Sequence, residues 1–129
     1  MRKAAFAAIG LCLLVFFSGC ANHEADIRQR AQQLIGYLCA DDMDGCVSLT
    51  DPLYVRAQGS QKVKFAFKIF NLVIRIGKLG PEDVRIDQVV LGEGNKTAEV
   101  HMSARKGEDW QPLEPSNWVR VDNQWYISF

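Results

Sequence analysis

Asp87 and His101 are the two residues of this chain best suited by type and spacing to move a proton. They lie on either side of a turn-forming stretch, Gly92-Glu93-Gly94-Asn95-Lys96. Two strands joined there pair residues whose numbers sum to about 188, which sets Asp87 opposite His101 and Arg85 opposite Ser103. An imidazole oriented by a carboxylate is the arrangement of a general base. The same alternation sends Ile86, Val90, Ala98, Val100 and Met102 to the other face, where the core must form. Asp87 and His101 are therefore expected on the outer face, as a surface cross-strand pair doing no chemistry. A register slipped by one residue would admit them to the interior only by burying Glu99 and Arg105 as well.

Other catalytic arrangements are absent from the sequence. No serine stands in a Gly-x-Ser-x-Gly elbow, and Gly92-Glu93-Gly94 belongs to the hairpin turn, not to a phosphate-binding loop. Cys39 and Cys46 enclose Ala40-Asp41-Asp42-Met43-Asp44-Gly45. They could form a disulfide, two reduced thiols, or a metal site with the loop aspartates. The spacing matches no zinc pattern and no histidine lies nearby, so no metal and no cofactor is expected.

Tyr54, Trp110, Trp118, Arg120, Trp125 and Tyr126 are the candidate ligand-binding residues, since aromatic rings with polar tips suit binding better than catalysis. Asp122-Asn123 as a tight turn pairs Arg120 with Trp125 and Trp118 with Ile127, placing Trp118, Arg120 and Trp125 on one face. That face is either a ligand platform, with Arg120 stacked on an indole, or a cluster that holds the last hairpin together. Lys64, Lys68, Arg75 and Lys78 form a basic stripe with two readings. It is the solvated edge of a buried helix, or a surface that orients the domain on anionic lipid headgroups, at about 1 kcal/mol per residue.

These side chains must be held by helices followed by strands. Asn22 can cap a first helix, in which Ile27, Ala31, Leu34, Ile35 and Leu38 form one apolar stripe to about Ala40. A short helix through Cys46, Val47 and Leu49 is expected to stop at Asp51-Pro52, and Leu53-Tyr54-Val55 is too short to classify. Residues 60–79 project as a helix with one narrow polar stripe, Lys64, Lys68, Asn71, Arg75 and Lys78, and apolar residues elsewhere, which predicts burial on most sides. Gly77 and Gly80-Pro81 stop it. Beyond Pro81 the period becomes two: a hairpin about residues 92–96, a turn at 106–109, a strand from about Glu114 to Val121, and a closing strand from Gln124 to Phe129. Helices first and a meander last define an α+β fold, with N-terminal helices packed on a curved antiparallel sheet.

The chain opens with Met1-Arg2-Lys3, an apolar run from Ala4 to Phe17, then Ser18-Gly19-Cys20. A short basic start, about 14 apolar residues and small residues at the end are the pattern of a secretory signal peptide. Phe17-Ser18-Gly19-Cys20 resembles the bacterial lipobox, with Phe17 where an aliphatic residue is usual. The resemblance implies a signal peptide over 1–19, Cys20 as the lipidated first residue, a tether over 20–25 containing His23, and a domain over 26–129. Two or three acyl chains, at about 0.8 kcal/mol per buried CH₂, would hold such a protein to its membrane. Ala21 after the cysteine implies the outer membrane, facing the periplasm, in an envelope that has one. Export to an oxidising compartment favours a Cys39–Cys46 disulfide, worth roughly 2–3 kcal/mol for so short a loop. From Cys20 onward the chain carries 13 basic and 15 acidic residues, a net charge of −2 that excludes a strongly basic nucleic-acid binder.

The first helix, the acidic turn Asp41 to Gly45 leading to Asp51-Pro52, the later helix, and the ending Trp118-Val119-Arg120-Val121-Asp122-Asn123-Gln124-Trp125-Tyr126-Ile127 resemble the NTF2-like superfamily, in particular its small bacterial lipoproteins. The resemblance implies a cone in which helices close one side of a bent sheet over a pocket. Members include isomerases, dehydratases and binding modules, so fold alone assigns no activity. The expectation is a lipid-anchored envelope module that binds a small ligand or a protein partner without chemistry. The alternative is a small cofactor-independent acid–base enzyme. A pocket with two convergent titratable groups would favour the enzyme, and an aliphatic and aromatic lining would favour the module.

Overall fold

A computed structural model describes residues 22–129. The expected signal peptide, the expected lipidation site Cys20, and Ala21 lie outside the described residues. Four helices come first: α1 (Asn22–Cys39), α2 (Met43–Ser48), α3 (Pro52–Gln58) and α4 (Ser60–Ile76). Five strands follow: β1 (Val84–Leu91), β2 (Thr97–Lys106), β3 (Asp109–Pro112), β4 (Ser116–Val121) and β5 (Gln124–Ser128).

The stripe on α1 does what its spacing predicts, with Ile27, Ala31, Leu34 and Ile35 all buried. Residues 22–25, assigned to the tether by sequence, form the first turn of this helix. Asp42 caps α2 by accepting from the Gly45 N–H at 3.0 Å. Asp51-Pro52 ends one helix and also begins another: the Asp51 carboxylate accepts from Leu53 N–H at 3.0 Å, and Pro52 occupies the first turn of α3, where its missing N–H costs nothing.

Strand order is β1-β2-β4-β5, with β3 also paired to β2. β2 is shared along its length: Thr97–Val100 pair with β4 and Ser103–Lys106 with β3. The hairpin turn of 106–109 therefore leads into a short strand at 109–112 that the sequence reading did not anticipate, since four residues ending in proline carry little strand pattern. Asp122 and Asn123 both take positive φ, 51° and 64°, the backbone of a two-residue hairpin turn, and the β4–β5 register is the expected one, Trp118 opposite Ile127 and Arg120 opposite Trp125. The link from α2 to α3 is zipped to the last strand, Ile127 N–H donating to Leu49 O at 2.8 Å and Asp51 N–H to Ile127 O at 2.9 Å, which covers that sheet edge.

The β1–β2 pairing differs from expectation. Arg85 faces Ser103, but a bulge at Asp87 shifts the register, so that Gln88 faces His101. Past the bulge the faces exchange: Val89 packs on the core and Val90 turns outward.

The core lies between the helices and the sheet. It joins Ile27, Ala31 and Leu34 of α1, Cys46 and Leu49 of the α2 region, Val63 and Phe67 of α4, Ala98 and Val100 of β2, and Trp118, Trp125 and Ile127 of the last hairpin. Each Val, Leu, Ile or Phe among these contributes about 1.5–3 kcal/mol by leaving water, and the alanines less.

The predicted burial of α4 on most sides is corrected. Only Val63, Phe67 and Asn71 are buried, a strip one residue wide, while Phe65, Ile69, Phe70, Leu72, Val73 and Ile76 are exposed. The helix lies on one flank of the domain, so one narrow face meets α1 and α2 and nothing covers the other within the described residues.

Candidate functional site

Between the helix layer and the concave face of the sheet lies a cavity of ≈ 300 Å³. Leu34 and Leu38 of α1 and Phe67 and Phe70 of α4 form its helical wall. Met102 of β2, Leu113 and Pro115 of the β3–β4 link, Ile127 of β5 and Phe129 form the opposite wall. Phe129 is fixed by two rings, stacked on Tyr54 at 5.3 Å between centroids and edge-on to Phe67 at 5.4 Å. Glu114 is the one ionisable side chain of the lining. The Ser116 hydroxyl, also in the lining, is engaged from outside the cavity: it accepts from the Trp118 indole N–H at 3.0 Å and faces the Val100 carbonyl at 3.5 Å. A volume at the lower end of ligand sites, with an apolar wall and few polar groups, is suited to holding a small apolar molecule.

None of the six aromatic and arginine candidates lines this cavity. Trp118 and Trp125 are each 1% exposed and belong to the core. Tyr54 stands behind Phe129 as its support. Tyr126 is covered by Arg30, whose guanidinium lies 4.9 Å above the ring. Trp110 sits on the outer face between two guanidinium groups, Arg85 at 4.5 Å and Arg105 at 4.9 Å. Arg120 stacks on no indole; it reaches the His23 ring at 3.1 Å. His23, assigned by sequence to the tether, is edge-on to Trp125, whose indole N–H lies 3.4 Å from Nδ1, while Arg120 reaches Nε2. A neutral imidazole has one acceptor nitrogen, so its tautomer decides which of the two donors it accepts from.

The cavity residues themselves carried weak sequence signals. Met102 was readable as facing the helices, but Phe67, Phe70, Leu113 and Phe129 are apolar residues like many others, and only their convergence in space distinguishes them.

Asp87 and His101 form no dyad. The bulged Asp87 accepts from the Ser103 hydroxyl and from Arg85 Nε, the latter at 2.7 Å. The Ser103 hydrogen bond, aided by Arg85, holds the Asp87 carboxyl below its usual range. His101 turns to Glu99, with Nε2 3.5 Å from the carboxylate.

Cys39 and Cys46 are free thiols in this structure, which differs from the expected disulfide. Cys46 points into the core with no exposed surface, whereas Cys39 is half-buried at the end of α1. Burial, with Asp42 and Asp41 nearby, pushes the Cys46 thiol up to about 12. Cys39 is also raised, by burial first and then by Glu82 and Asp83. Both behave as thiols, not thiolates, near neutrality. Among the described residues, no three His, Cys, Asp or Glu side chains converge as a metal site would require.

Half of the basic stripe is neutralised within the domain. Lys64 pairs with Asp44 at 2.7 Å and Lys68 with Asp41 at 2.6 Å. Arg75 closes the last turn of α4, and Lys78 lies beyond it with a positive φ of 54°. Among the described residues, no helix is long and apolar enough to cross a membrane.

No family model and no curated protein matches the sequence. Among solved structures, the chain is similar to the crystal structure, at 2.00 Å resolution, of a Campylobacter jejuni protein whose name gives it as an NTF2-like transpeptidase. The TM-score is 0.59 at 13% identity, covering 84% of this chain and 98% of that one. The chain therefore has the NTF2-like fold, an α+β cone closed by its N-terminal helices.

Proposed function

We propose that this protein is a lipid-anchored module of the bacterial cell envelope whose NTF2-like cone binds a small apolar ligand and performs no chemistry on it. The observation that carries the binding half is the cavity wall: leucines, phenylalanines, Met102 and Ile127, with Glu114 as its one ionisable side chain. Acid–base turnover needs two groups of complementary protonation state within reach of one substrate. The acid–base alternative has one candidate at the cavity, and Asp87 and His101 are occupied elsewhere. The transpeptidase name of the similar protein does not transfer either. Group transfer needs an activated nucleophile, and the Ser116 hydroxyl in the cavity wall is held by Trp118 without a base beside it.

The anchoring half rests on Arg2-Lys3, the Ala4–Phe17 run and Ser18-Gly19-Cys20. Acylation of Cys20 would hold the domain to the membrane, and Ala21 points to the outer membrane facing the periplasm in a two-membrane envelope. With α1 beginning at Asn22, the domain would sit within roughly 10 Å of the lipid surface, since one or two extended residues span no more.

Binding is tested with N-phenyl-1-naphthylamine, an apolar dye that brightens when taken from water. The expected result is saturable binding, weakened tenfold or more by Met102→Trp, which fills the cavity, and unchanged by Leu53→Ala on the exposed side of α3. Binding unaffected by the tryptophan would overturn the assignment of the site. Intact mass of membrane-extracted protein tests the anchor: an unmodified Cys20, or release without detergent, would refute it.

A further inference from the structure

The outward side of α4 has the composition of a core and the position of a surface. Phe65 is 69% exposed, Ile69 53%, Leu72 55%, Val73 61% and Ile76 76%, and Phe70 beside them leads to the cavity mouth. Together these six side chains expose roughly 600 Å² of apolar area, at the upper end of the largest patch on an ordinary monomer, and near the ~800 Å² that each partner gives to a standard protein interface.

The pattern within the patch is regular. Phe65, Ile69, Leu72 and Ile76 recur at spacings of four, three and four, the seam of a two-stranded coiled coil over two heptads, with β-branched Ile69 and Ile76 alternating with Leu72. The face buried by the domain, Val63, Phe67 and Asn71, lies on the opposite side of the helix, so the seam is free to take a second helix without disturbing the fold.

We infer that α4 is a homodimer interface, in which a second copy of this chain packs its own α4 in parallel along the seam Phe65, Ile69, Leu72 and Ile76. Charge decides the occupant and the direction. A membrane-docking face gains from unpaired cations along its apolar strip; here Lys64 and Lys68 are spent on Asp44 and Asp41, and the cations without a carboxylate partner among the described residues, Lys62, Arg75 and Lys78, stand at the two ends of the strip and not along it. An antiparallel pair would bring Lys68 opposite Arg75 of the other copy. A parallel pair places Lys68 over Val73 of the other copy, where its aliphatic stem covers apolar surface and its ammonium stays with Asp41. This inference does not depend on the anchor or on ligand binding.

The test is disulfide trapping in the full chain, in intact cells that produce it, on a Cys39→Ser background. In a parallel pair every seam residue meets its own copy, so Ile76→Cys should give a cross-linked dimer on a non-reducing gel. The expected yield is at least tenfold above that of Leu53→Cys, which is also well exposed, at 61% against 76%, but lies on α3. Adding Leu72→Lys to Ile76→Cys should abolish the product while leaving the circular dichroism melt unchanged, because Leu72 makes no core contact. Equal cross-linking at positions 53 and 76, or a product surviving Leu72→Lys, would overturn the inference. So would an environment-sensitive dye on Ile76→Cys that shifts only when phosphatidylglycerol vesicles are added, which would assign the face to lipid.

Discussion

The Asn71 side-chain amide donates to the Leu38 carbonyl at 2.7 Å, tying the middle of α4 to the last turn of α1. Leu38 O lies in the last turn, where the helix pattern runs out; it receives the Asp41 N–H only at 3.4 Å, and Asn71, 1% exposed, supplies the shorter bond. Its own Oδ1 is buried with no partner.

Replacing Asn71 by Ala should therefore destabilise the domain by about 1 kcal/mol, the usual net worth of one hydrogen bond, because the Leu38 carbonyl keeps only the longer contact from Asp41 N–H. Urea unfolding of the purified protein measures it. A change within about 0.5 kcal/mol, the range of ordinary surface substitutions, would show that the cap carries no weight.

The two thiols should separate by reactivity. At pH 8 a group titrating at about 12 is thiolate in only about one molecule in ten thousand, and Cys46 is also sealed in the core. Iodoacetamide followed by peptide mass analysis is expected to label Cys39 in the native protein and Cys46 only after denaturation. Protection of both until a reductant is added would mean that the disulfide forms.

Ser103→Ala should move the Asp87 titration upward, because the serine hydroxyl is the largest stabiliser of the carboxylate. The sign for stability follows from a folded-state pKa below that of the unfolded chain. The contribution is complete above about pH 4 and is lost as pH falls through the lower folded value, so the wild type should lose stability toward acid more than Ser103→Ala does. Carboxyl carbon shifts followed by NMR, with melts at pH 3 and pH 6, check both.

His23→Ala should loosen the start of α1 against the last hairpin, since it removes the partner of the Trp125 indole N–H and of Arg120. A loss of roughly 1 kcal/mol is expected, together with faster amide exchange at residues 27–30, hydrogen-bonded amides near the start of α1, in the variant than in the wild type. Equal exchange at those residues in the two proteins would show that the contact holds nothing.

Local chemistry made much of this fold legible from sequence. The three- and four-residue spacing of Ile27, Ala31 and Leu34 specifies a helix and its buried side wherever the rest of the chain goes. Asp122-Asn123 specifies a hairpin and hence the register of Trp118 and Arg120, because few residue pairs accept positive φ at both positions. Hydrophobic patterning even placed Asp87 and His101 away from the interior.

Tertiary structure decided what spacing cannot. One extra residue at Asp87 exchanged Val89 with Val90 across the sheet and parted Asp87 from His101, and no local signal marks such a bulge. On α4 the sequence determined two faces, polar and apolar, but not which side the domain would cover: an apolar surface is as compatible with a second helix as with its own core. The cavity arose in the same way. Phe67, Phe70, Met102, Leu113 and Phe129 come from four separate stretches of chain, and a void exists only where their packing fails to close, a property of all of them together and of none alone.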